Sequence, residues 1–156
     1  MIPQRLVDFI HGPTLTWLGS RDDRLRPSVA WAFGARVDAA NELITAFVPD
    51  IEGGEVLRDL ARNGMAALTA VDGISHEAYQ FKGRHVETRP STAEERAVQD
   101  IHRSKLLSHY ASYPEALFSG FVFHPSTAVT FRVEEAFVQT PGPGAGERLA
   151  LGAATT

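Results

Sequence analysis

The stretch Ser75-His-Glu-Ala-Tyr-Gln-Phe-Lys-Gly-Arg-His-Val-Glu-Thr-Arg-Pro90 decides the fold. Its residues predict one long strand, Glu77 to Thr88, running straight into a helix start. A strand of that length, with cations and an aromatic around a central glycine, suits a small barrel. Side chains alternate across a strand, so Gln80, Lys82 and Arg84 share one face while Tyr79 and Phe81 share the other. The polar face has two readings: it grips a ligand, or it is an exposed surface guarded by charge. His76 and His85 fall at opposite parity, so this strand does not build a two-histidine metal site.

Upstream of this strand, Asp72-Gly73 is a turn signal, and Met65 to Val71 is an apolar run short enough for a buried strand. Val56, Leu57, Leu60 and Ala61 recur at helical spacing before the stop at Asn63-Gly64. Earlier still, Glu42 to Val48 reads as a strand broken by Pro49. Ser28 to Val37 reads as another, with Val29, Trp31 and Phe33 alternating with small residues. Thr14 to Gly19 is its hairpin partner across the polar turn Ser20 to Arg24. Ile2, Leu6, Phe9 and Ile10 predict a short amphipathic helix that Gly12-Pro13 stops.

Downstream, Ser91-Thr-Ala-Glu94 reads as a capping box opening a helix to about Ser112. Val98 and Ile101 form a stripe out of phase with Leu106, Tyr110 and Tyr113, which predicts a break near Arg103 to Lys105. Thr127 to Val138 is the last strand. The sum is helix, three strands, helix, two strands, helix, strand. That order predicts an α+β protein: a small antiparallel split β-barrel of about six strands with flanking helices, and not a doubly wound fold. The barrel domain spans 1–139, and 140–156 is a Gly/Pro-rich C-terminal tail.

Composition narrows the function classes. A net charge of -4 argues against a broad nucleic-acid-binding face. With no cysteine there is no disulfide framework, thiol nucleophile or thiolate metal site. No apolar run has the length for a membrane span and the N-terminus lacks signal-peptide architecture, so a cytoplasmic location without membrane attachment is expected. Gly142, Gly144 and Gly146 do not make a dinucleotide fingerprint, because Pro143 interrupts them and too little chain follows. His102 and His109 stand two turns apart and are expected to face solvent; no metal site is predicted. No serine sits in a nucleophile elbow, and no catalytic acid or base is assigned. Gly53-Gly54 opens a helix and offers backbone N–H groups to a phosphate, but Asp50, Glu52 and Glu55 also suit the helix dipole alone. Arg26, Lys82 and Arg84 could converge on a phosphate if their strands pair.

As an ordered set, several segments resemble a known family. They are Leu18-Gly-Ser-Arg-Asp, Arg26-Pro-Ser-Val, Glu42-Leu-Ile-Thr-Ala-Phe-Val, Asn63-Gly-Met-Ala-Ala-Leu-Thr and Tyr79-Gln-Phe-Lys-Gly-Arg-His-Val-Glu. Together they resemble the FMN-binding split barrels, the pyridoxamine 5′-phosphate oxidase-like proteins. The resemblance implies a homodimer with FMN at the subunit interface and oxidoreductase chemistry on a small molecule. It implies that Ser28, Val29 and Ala30 lie along the flavin, and that Phe47, Val48 and Pro49 meet the phosphate. Polar groups would come from Tyr79, Gln80 and Lys82. The chain departs from the family at Glu52-Gly-Gly-Glu55, where flavin-binding members commonly carry a Ser/Thr and Arg/Lys pair. The residues that hold pyridoxal in the true oxidase have no counterpart here. Haem or a deazaflavin in the same fold, or a cofactor-free structural or regulatory dimer, are the alternative readings.

Overall fold

The computed structural model describes residues 1–114 and 117–152. The elements run α1 (Gln4–Ile10), β1 (Leu15–Arg21), β2 (Pro27–Ala32), β3 (Ala35–Asp38), β4 (Leu43–Pro49), α2 (Gly54–Asn63), β5 (Met65–Val71), β6 (Ala78–Pro90), α3 (Ala93–His109), β7 (Ser126–Val138) and β8 (Arg148–Leu149). Among the described residues eight strands form where about six were expected. The strand expected over Ser28 to Val37 is two, and a short strand forms in the tail.

All pairings are antiparallel, in the order β2-β1-β5-β6-β7-β4-β3, with β8 on β7. The sheet closes because β2 and β3, at opposite ends of that order, are consecutive in the chain. Between them the Phe33 N–H donates to the Phe47 carbonyl, and the Phe47 N–H to the Gly34 carbonyl. Gly34 turns the corner at φ +81, a backbone region that side-chain-bearing residues rarely enter.

Leu18, Ile44, Leu68, Phe81 and Phe131 are fully buried in the core that this closure encloses. Each such side chain stabilises by about 1.5–3 kcal/mol relative to exposure. Tyr79 belongs to this inner set: it is 8% exposed, packs edge-on against Phe9, and donates its hydroxyl to Glu77. Gln80, Lys82 and Arg84 point outward, as alternation predicts.

Two local expectations shift. The capping box is Thr92/Glu95, one residue beyond Ser91/Glu94, because Ser91 is still engaged with Ser126 through its backbone and its hydroxyl. No break occurs near Arg103 to Lys105. Glu95, Gln99, His102 and Leu106 form one buried stripe along an uninterrupted α3, while Ile101 is left 58% exposed. The tail turns back after Thr140, pairs Val138 with Glu147 and Gly146, and meets the N-terminus where the Gly152 N–H donates to Met1. Among the described residues, no helix is long and apolar enough to cross a membrane.

Glu95 gives a pH prediction. Its carboxylate accepts two bonds of 2.7 Å from Arg89, which, with the Thr92 N–H, hold its pKa down to about 2 against a counteracting burial. A depressed carboxylate contributes stability above its unfolded pKa and loses it as pH falls through the folded one. Urea midpoints should therefore drop between about pH 4.5 and 2, and Glu95→Gln should flatten that limb. An unchanged limb in the variant would remove Glu95 from the acid response.

Candidate functional site: a groove on the outer face of the sheet

Strand register assembles the site. On the outward face, cross-strand neighbours form the row Val29, Gly19, Ala67, Lys82, Glu135. Beside it runs Trp31, Trp17, Thr69, Gln80, Phe137. Gly19 and Ala67 carry almost no side chain, so the first row is low in the middle and flanked by Trp17 and the Thr69–Gln80 pair. The result is an open groove of about 440 Å³ whose floor admits a flat ligand. Trp17 and Trp31 pack with ring centroids 4.5 Å apart at one edge. Gln80 Nε2 donates to Thr69 Oγ1 at 3.1 Å, leaving its amide oxygen as an acceptor beside the floor.

The charges at the rim are unequally satisfied. Glu134 faces Arg84 at 3.8 Å, and Glu135 faces Arg148 of β8 at 3.4 Å. Lys82 makes no ion pair among the described residues and sits 4.9 Å from the Phe137 ring centre. Among the described residues, the Arg21 side chain donates only to the Asp22 backbone carbonyl. Among the described residues both acids are thus partnered while Lys82 and Arg21 have no counter-charge, so the groove suits an anionic group attached to a planar body.

Of the sequence-predicted residues, Ser28, Val29, Gln80 and Lys82 line this groove, with Arg84 at its rim through Glu134. The Ser28 hydroxyl points away, donating to buried Asp59 at 2.7 Å. Arg26 lies outside, held by Asp22. Ala30, Phe47 and Val48 are core residues, and Tyr79 faces the barrel interior. Pro49 is buried at the end of β4. Gly53 packs under side chains: a Cβ there would lie 2.9 Å from Leu57 Cδ1 and 3.2 Å from Val48 Cγ1. Gly54 opens α2 with no side-chain cap, and neither glycine reaches the groove.

Sequence reasoning missed Trp17, Gly19, Arg21, Met65, Ala67 and Thr69. Odd-numbered alternation in β1 and β5 was the available signal, but it needed the pairing of β1 with β5 to become a surface. The expectation of a solvent-facing His102 is overturned. It is 4% exposed against Gly34, because the closed corner of the barrel packs onto α3 there. Burial and the nearby Lys105 charge lower its pKa to about 4. His109 is partly covered and meets Asp72 at 3.0 Å. Among the described residues no group of metal-ligating side chains forms, and no histidine lines the groove.

Solved structures share this architecture. HupZ of Group A Streptococcus is 18% identical, with a TM-score of 0.57, over 94% of this chain and 100% of that one. A candidate pyridoxamine 5′-phosphate oxidase of Lactobacillus delbrueckii is 18% identical, with a TM-score of 0.55, over 87% and 93%. An F420 reductase is 13% identical, with a TM-score of 0.51, over 83% and 93%. No family model matches the sequence, and no curated protein does. At these identities the likeness is one of fold: the chain is a split barrel of the pyridoxamine 5′-phosphate oxidase-like type.

Proposed function

We propose that the groove binds FMN, and that the protein is a flavin-dependent oxidoreductase working as a homodimer on a small molecule. The observation that carries this reading is the bare Gly19–Ala67 floor ending at Lys82, which has no ion pair among the described residues. The floor suits a planar ring, with Trp17 beside it. Gln80 and Thr69 suit the ring's polar edge. Lys82 and Arg21 suit a phosphate, a role for which the acidic start of α2 is poorly equipped. When bound, the flavin supplies hydride or electron transfer, and the protein contributes orientation and electrostatics. An open groove beside an exposed Val29 suits coverage by a second subunit, which would exclude water from the ring. Haem finds no imidazole in this groove, so it is the weaker alternative; a deazaflavin offers the same combination of flat ring and anionic tail.

Lys82→Ala should weaken FMN binding about tenfold, the effect of one charge-assisted phosphate contact, and leave riboflavin nearly unaffected. Arg103→Ala should change neither, since Arg103 lies over Phe123 away from the groove. Equal FMN affinities in the Lys82 and Arg103 variants would remove Lys82 from the site.

Arg148 is expected to help from the tail. Lys82 and Glu135 are register partners, and Arg148 is the cation that holds Glu135. Arg148→Ala should cost FMN affinity about threefold, as suits an exposed pair, and nothing once Glu135→Gln is present. Additive effects in that double-mutant cycle would show that the tail does not tune Lys82.

A further inference from the structure

A second cavity, of about 330 Å³, lies between the end of α1, β3 and α3, and it shares no residue with the groove. Its walls are apolar at Ile10, Val37, Val98 and Ile101. Its polar lining is entirely basic: His11, Arg36, His102 and Lys105, with no carboxylate among them. Apolar residues on the outer side of α3 were out of phase with the core stripe in the sequence, and this cavity is what Val98 and Ile101 face.

Lys105 is the central group. Its ammonium donates to the His11 carbonyl at 2.7 Å, which fixes it at the cavity while leaving two N–H groups unused. It forms no ion pair among the described residues. Its charge depresses both histidines, second in each case to burial. Arg36 is partly neutralised by Glu94 at 3.5 Å, and Asp8 acts weakly on His11 in the opposite direction. His102 Nε2 has no hydrogen-bond partner and is shielded from solvent, so this ring serves as a neutral wall.

We propose that this cavity binds a small monovalent organic anion, a short-chain aliphatic carboxylate, with its carboxylate on Lys105 and its stem between Val37, Val98 and Ile101. An anchored cation without a counter-charge supplies the attraction, and the apolar walls select against fully polar anions such as phosphate. The volume is at the lower end for small-molecule sites, which limits the ligand to about a dozen heavy atoms or fewer. The site does not depend on the flavin reading.

The test is an NMR titration of the full chain with hexanoate and, separately, with hexanol, following the Val98 and Ile101 methyls and the His11 and His102 rings. Hexanoate should give saturable shifts at these residues and bind about tenfold more tightly than hexanol, the worth of one partly desolvated charge contact. Lys105→Gln, a change at an exposed position that leaves the core intact, should erase that difference. Saturation with hexanoate should also raise the His11 pKa, because the bound carboxylate cancels the Lys105 charge. Equal affinities for hexanoate and hexanol, a preference that survives Lys105→Gln, or shifts elsewhere in the chain would each overturn the proposal.

Discussion

Gly83→Ala is expected to lower stability by more than about 4 kcal/mol, or to abolish folding. A Cβ at this position would lie 1.8 Å from the Arg132 carbonyl oxygen and 2.7 Å from its carbon. These are backbone atoms of β7, opposite the register shift between Lys82 and Gly83, so no side-chain rotation relieves the clash. Separation would require breaking the longest strand pairing in the barrel. For a domain of this size that loss corresponds to a melting temperature lower by about 10 °C or more. Gly54→Ala is the control, since nothing lies within 4 Å of a Cβ there and it should change stability by under about 1 kcal/mol. Similar melting temperatures for the two variants would mean that β6 and β7 do not approach as described.

The second large effect concerns the groove floor. Ala67→Trp should reduce FMN affinity by at least about a hundredfold, because the indole would occupy the space between Gly19 and Lys82 that the flat ring needs. Ala67 faces outward in β5, so the added side chain enters the groove and leaves the core untouched; aromatic residues suit such strand positions. Stability should stay within about 1 kcal/mol of the parent. Full FMN affinity in a folded Ala67→Trp variant would move the flavin off this face.

Much of the barrel could be read from local pattern. β5 fell where its apolar run predicted, and the inward–outward division of β6 followed from parity alone, with Phe81 in the core and Lys82 out. What escaped depended on partners distant in sequence. The split of β2 from β3 at Gly34 reflects bonds to Phe47; Gly34 within Ser28 to Val37 is the one local sign of it, and a lone glycine does not fix where the chain turns. His102 looked like a surface histidine because the element that buries it, the Gly34 corner, lies far upstream.

The same limit governs the site. Of the residues that line the groove, Gln80, Lys82, Ser28 and Val29 were named from the sequence, whereas Trp17, Gly19 and Ala67 become neighbours only through the β1–β5 pairing. Residues carried over by resemblance to the phosphate end were in part core residues: Phe47 and Val48 are fully buried, and Gly53 lies against Leu57 and Val48. In the proposed FMN reading, the cation for the phosphate comes from the long strand and β1, and the acidic start of α2 contributes none.

The most direct test is the visible absorption and fluorescence of the purified chain titrated with FMN. The proposed reading predicts saturable binding at micromolar FMN, one per chain, with a shifted flavin band and quenching of tryptophan fluorescence through Trp17. A colourless protein that leaves micromolar FMN unperturbed, or one that carries a haem Soret band instead, would contradict it.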